Sequence, residues 1–154
     1  MIGINSESEF ENQIRNIINA DIIQHNPDLI VLDNKKAVDI MICRNNFNPT
    51  IFFIEIKYHQ NNHGRLGFGH GKGGGFQPEI LTKRPQIFES NLRWIIGSQD
   101  SEDYYFFDNE ELLLYMQGGQ VAEKFNGIQK RIFRDAVAHS KIELSQKLKL
   151  WLAS

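Results

Sequence analysis

Three short apolar runs with β-strand character, Leu29 to Leu32, Val38 to Cys43 and Ile51 to Tyr58, follow one another with only the turn-like residues Asp33-Asn34-Lys35-Lys36 and the segment Arg44 to Thr50 between them. Separators this short join antiparallel neighbours, because a parallel pair needs a crossover of a dozen residues or more. The runs therefore predict a three-stranded antiparallel meander. Ahead of them, Ser6 to Ile18 predicts a first helix: Ser6 and Glu9 have capping-box spacing, and Phe10, Ile14, Ile17 and Ile18 recur at helical intervals. This helix packs against one face of the meander. At about 100° per residue, Glu7 and Glu11 fall among or beside Ile14 and Ile18 instead of opposite them, so acids lie at the edge of a buried stripe.

Asn61 to Phe76 holds seven of the twelve glycines and has no apolar periodicity, which predicts a long loop. Beyond it, Pro78 through Phe88 reads as a helix shortened or bent by Pro85, Trp94 to Gly97 as a fourth strand, and Tyr104 to Phe107 as a fifth. Asp108 or Asn109 caps a helix expected to run through Met116 to Gly118-Gly119. In the C-terminal third, Phe125, Ile128, Ile132 and Ala136 predict one apolar helical face, and the pattern beyond His139 fits helix or strand equally. Trp94, Tyr104, Phe106 and Phe107 are expected in the core.

With 154 residues, 41% apolar and 23% charged, the chain has the size and composition of a single globular domain spanning 1–154. No apolar run reaches the roughly 20 residues of a membrane span, and the start carries no secretory leader, so a cytoplasmic protein is expected. The one cysteine, Cys43, sits within an apolar run and predicts neither an internal disulfide nor a Cys-based zinc site. The net charge of −2 conceals segregation. Ile56 to Pro78 contains no acid but carries Lys57, His59, His63, Arg65, His70 and Lys72; Gln99 to Glu123 carries seven acids and no Lys or Arg; Lys124 to Lys149 is basic again. Such alternation suits either self-neutralising packing or a phosphate-rich partner.

The chemistry is concentrated in the strands. Ionisable groups inside apolar strands are costly unless paired or liganding, and Asp39, Glu55 and Lys57 are such groups. Alternation puts Glu55 and Lys57 on one face and Ile54 and Ile56 on the other, and Asp39, sixteen positions before Glu55, is placed to meet it across the strand pair. Two converging carboxylates repel, and a divalent cation is the common way to keep both ionised. Hard oxygen ligands select magnesium, which keeps waters able to serve in phosphodiester cleavage, while Lys57 is placed to orient or deprotonate the attacking water. Taken alone, the Glu55-Ile56-Lys57 triplet reads better as a solvent-facing ion pair on an amphipathic strand. The acid-bearing helix, the strand with Asp39 and the cationic loop after Lys57 together favour the metal site.

In this order, a helix with Glu11, then Val38-Asp39-Ile40, then Ile54-Glu55-Ile56-Lys57, the chain resembles the PD-(D/E)XK nuclease superfamily over about its first hundred residues. The resemblance implies a restriction-endonuclease-like α/β domain, a mixed β-sheet flanked by helices in αβββαβ order. It implies that Asp39 and Glu55 bind magnesium, with manganese as a substitute, that the Ile56 carbonyl adds a ligand, that Lys57 assists the water, and that Glu11 is the acid many members add from the first helix. Val38 departs from the proline common before the aspartate. The expected activity is endonucleolytic cleavage of double-stranded DNA by a homodimer, one site per strand, in restriction, other anti-phage defence, or recombination and repair. A Holliday-junction-type resolvase and a non-catalytic nucleic-acid-binding module are the alternatives.

The glycine-rich loop formally satisfies G-x-G-x-x-G at Gly69 to Gly74, but it lies too far past its strand for a dinucleotide site, and Gly73 after Lys72 breaks the P-loop pattern. Its His63, Arg65, His70 and Lys72, with Lys83 and Arg84 beyond, are the expected DNA contacts, although a solvated surface explains each of them individually. His59 and His63 lack a third zinc ligand.

Overall fold

A computed structural model of the chain describes residues 3–32, 38–61, 66–67, 86–116 and 127–154. It is a mixed α/β structure. Helix α1 spans Glu7–Asp21, followed by a 3₁₀ turn at Ile23–His25, strand β1 at Leu29–Leu32, β2 at Ile40–Arg44 and β3 at Thr50–His59. Then come β4 (Leu66–Gly67), α2 (Gln86–Asn91), β5 (Leu92–Ser98), β6 (Tyr105–Phe107), α3 (Asn109–Leu113), β7 (Gly127–Ile128), α4 (Ile132–Asp135) and α5 (Lys141–Ala153). Five strands form one sheet in the order β1-β2-β3-β5-β6, and β4 pairs with β7 in a separate two-stranded ladder.

The meander forms as its short turns require, with β1, β2 and β3 antiparallel. The return to β5 crosses over, and β3 and β5 are parallel, Glu55 level with Trp94 and Lys57 with Ile96. Such a central parallel pair is buried on both faces, which explains why β3 is buried from Phe52 to His59 whatever the residue type. On one face, Phe52, Ile54, Ile56 and Tyr58 pack with Phe10, Ile14, Ile17 and Ile18 of α1 and with Leu144, Leu148 and Trp151 of α5. On the other, Phe53, Trp94 and Ile96 pack with Val38, Leu112, Ile128 and Ile132. Trp94, Tyr104 and Phe107 are core residues, and Phe106 is packed against the first cluster.

Ser6 caps α1 by accepting the Glu9 N–H at 3.1 Å, as the spacing predicts. Glu9 reaches one residue further back than a capping box would place it and accepts from the Asn5 N–H at 2.8 Å. The helix before β5 is seen from Gln86 to Asn91, and residues 78–85 lie outside the described residues. Asp108 caps α3 in a reciprocal box with Glu111, but the helix ends at Leu113, short of Met116. The C-terminal third departs most from expectation. Gly127–Ile128 is a strand because Leu66–Gly67 pairs with it, so the apolar spacing from Ile128 to Ala136 is shared between a strand and the four-residue α4. Beyond His139 the ambiguity resolves to helix α5, opened by a Ser140–Glu143 capping box. Among the described residues no helix is long and apolar enough to cross a membrane.

The second core contains a buried polar bond, Trp94 Nε1–H to Asn109 Oδ1 at 2.7 Å. Asn109→Ala removes the acceptor while leaving the indole N–H buried, which costs about 1–3 kcal/mol. Urea unfolding of wild type and variant measures this directly, and an unchanged midpoint would show that the bond contributes nothing.

Candidate active site

The ladder between β2 and β3 ends where Ile40 pairs with Ile54, yet β3 continues to His59. Beyond Ile54, the strand has lost its β2 neighbour. Amide groups on alternate residues of β3 face that gap, and two carboxylates fill it. Asp39 Oδ2 accepts the Ile56 N–H at 2.7 Å, and Glu7 Oε2 of α1 accepts the Tyr58 N–H at 3.2 Å. The Ile56 carbonyl projects to the same edge as its N–H, because both backbone groups of a strand residue point to one side.

Asp39 lies at a bend immediately before β2, one step outside the strand in which the sequence pattern placed it. That step continues the register, so Asp39 stands opposite Glu55, and the two side chains are hydrogen-bonded to each other. Two carboxyls this close in a buried site repel each other unless a proton or a cation offsets their charge. Glu55 is 1% exposed and Lys57 4% exposed on the same face of β3. Burial, and then the Asp39 charge, push the Glu55 carboxyl well above the usual range. Burial likewise raises Asp39 and Glu7. The Lys57 ammonium opposes the rise in all three. Three raised carboxyls around one ammonium make a site with a deficit of positive charge, which a proton or a cation supplies.

Of the two acids on the edge of the α1 stripe, Glu11 was the one expected at the site. Its carboxylate accepts from Arg15 Nε at 2.9 Å, while its charge is still felt by Asp39 and Glu7. Glu7, one turn earlier, makes the direct bond to β3. Both acids are equally visible in the stripe, and only the offset of α1 along the sheet decides which reaches the strand. Arg15 also donates from Nη2 to the Asp39 carbonyl at 2.5 Å, a contact that no spacing rule signals.

Magnesium is usually held by one or two carboxylates with several waters, so Asp39, Glu55 and the edge carbonyl of Ile56 are of the donor chemistry such an ion takes. Among the described residues, no group of three or more His, Cys, Asp or Glu side chains is arranged to hold a metal ion. His59 is buried with its ring 5.8 Å from that of Phe133. His63, Arg65, His70, Lys72, Lys83 and Arg84, the expected DNA contacts, all lie outside the described residues. Comparison with protein-family models, with curated proteins and with solved structures gives no match for this chain.

Proposed function

We propose that this chain is a magnesium-dependent DNA endonuclease of the PD-(D/E)XK type, with a restriction-endonuclease-like core. The observation that carries the reading is the hydrogen-bonded Asp39–Glu55 pair at the vacated edge of β3, with Lys57 on the same buried face. A buried, mutually repelling pair is expensive to maintain, and structural cores of this kind are normally filled with apolar groups. A five-stranded mixed sheet flanked by helices also supports the reading.

In this reading Asp39, Glu55 and the Ile56 carbonyl hold the magnesium ion, with manganese as a substitute. When bound, the ion supplies positive charge beside the scissile phosphate and makes water a better nucleophile near neutral pH. Lys57 orients the attacking water and offsets charge building on the phosphate. Glu7, fixed by the Tyr58 N–H, takes the place at the site that the resemblance gives to Glu11. The carboxyl pair must release its proton for the metal to bind, so metal affinity rises with pH. A homodimer brings two such sites to the two strands of a duplex.

The test is incubation of the purified chain with supercoiled plasmid and with a four-way DNA junction, in magnesium, in manganese and in EDTA. The reading expects metal-dependent nicking and linearisation of the plasmid. Preference for the junction would favour a resolvase that reads DNA shape. Binding without cleavage in either metal would show a nucleic-acid-binding module instead and end the nuclease reading.

A further inference from the structure

We infer that Arg15 and Glu11 form a clamp on α1 that positions Asp39, with Glu11 acting through Arg15 and not on the metal; this rests on the nuclease reading for its consequence, though not for its geometry. Asp39 has no ladder partner of its own, since it precedes β2 at a bend. Besides its contact with Glu55, two hydrogen bonds hold it. Its carboxylate is fixed by the Ile56 N–H of β3 at 2.7 Å, and its carbonyl by Arg15 Nη2 of α1 at 2.5 Å. The Arg15 side chain would otherwise be free to rotate, and Glu11 removes that freedom by accepting from Nε at 2.9 Å. Nε and Nη2 belong to one planar fork, so the bond to Glu11 sets the direction in which Nη2 donates.

The pair is an i, i+4 couple whose side chains are 20% and 23% exposed, and such a pair adds little to helix stability by itself. Its geometric effect is larger than its energetic one. It ties α1, which carries Glu7, to the segment that carries Asp39, so the two acids move as a unit.

The experiment uses Arg15→Ala, Arg15→Lys, Glu11→Ala and the Arg15→Ala/Glu11→Ala double variant. Three quantities are read: calcium binding by calorimetry, calcium being an unreactive probe of the site; the amide resonance of Ile56; and plasmid cleavage in magnesium. Arg15→Ala should weaken calcium binding by about tenfold or more, as loss of a group that orients a ligand does. It should also shift the Ile56 amide. Arg15→Lys recovers part of the affinity, because an ammonium reaches the carbonyl without bridging to Glu11. The double variant should be no worse than Arg15→Ala alone. If Glu11→Ala costs as much in the Arg15→Ala background as in wild type, Glu11 acts independently and the clamp is wrong. An Ile56 amide and a calcium affinity both unmoved by Arg15→Ala would overturn it equally. Should Arg15→Ala fail to fold, the Ile56 amide in Glu11→Ala decides: a shift supports the clamp and an unmoved resonance overturns it. A wild-type chain that neither binds calcium nor cuts DNA, but whose Ile56 amide still follows Arg15, would leave the clamp standing and remove the nuclease reading.

Discussion

If the chain is the nuclease proposed, Glu55→Gln is expected to abolish cleavage and at the same time to stabilise the metal-free protein at neutral pH. Glutamine preserves the shape of the side chain and can donate its amide hydrogen to Asp39, so packing and the cross-strand bond survive. What it removes is an anionic oxygen, and losing a group that holds charge at a reacting centre costs about a thousandfold in rate or more. The stability gain follows from the same burial. The Glu55 carboxyl is raised above its ordinary 4.5 in the folded state, so over the interval from that value up to the raised one the native protein binds more protons than the unfolded chain. The slope of unfolding free energy with pH is then negative, and stability falls as pH rises through the interval. Glutamine does not titrate, and the variant escapes this loss. Removing a buried charge conflict is worth about 2 kcal/mol, or about 5 °C in Tm for a chain of this size. Melting curves in EDTA between pH 4 and pH 8 test this: wild type and variant should converge at the acid end and separate at the neutral end. Magnesium should raise Tm for wild type and leave the variant unmoved. A variant that melts below wild type at pH 8 would mean that Glu55 is ionised and well compensated by its neighbours, and the picture of a raised Glu55 carboxyl would be wrong.

How much of this was visible beforehand depends on the range over which each feature is decided. The meander, the face shared by Glu55 and Lys57, and the meeting of Asp39 with Glu55 follow from two short turns and the period of two in a strand. Those are local rules, and the chain obeys them. The assignment of the helix acid to Glu11 rested on the same stripe that also contains Glu7. Helical periodicity gives the angle around an axis and says nothing about displacement along it, so the choice belonged to tertiary packing, which puts Glu7 against Tyr58 and Glu11 against Arg15. The apolar spacing through Ile128 and Ala136 misled for a related reason: Gly127–Ile128 is drawn into a ladder with Leu66–Gly67, sixty residues earlier, and long-range pairing overrides a local period. The Ser140–Glu143 box was a local signal in plain view, and it settles the segment after His139 as helix.

The position of α1, on which both Glu7 and the Arg15 clamp depend, is limited at one point by a close approach to the sheet, and this gives the second large effect. Gly97 lies on β5 level with Tyr58 of β3. A Cβ there would come within 2.5 Å of Phe10 Cε1 and 2.6 Å of Cζ. The Phe10 ring has no room to retreat, being completely buried and stacked on Tyr58 at 5.0 Å and Tyr104 at 6.0 Å. Gly97→Ala therefore pushes α1 away from the sheet, and overpacking of this kind costs about 2–3 kcal/mol. For a chain of this size that lowers Tm by about 5–10 °C. Glu7 sits one turn from Phe10 on the same helix, so cleavage should also fall at temperatures where the variant is still folded. Phe10→Leu alone is destabilising because it empties part of the first core, but in combination it makes room for the new methyl group. The double variant should accordingly be more stable than the sum of the two single losses predicts, a coupling expected only between side chains that compete for one space. If the two losses simply add, Gly97 and Phe10 do not contend for that space, and the placement of α1 relative to the carboxylate edge of β3 must be set by some other contact.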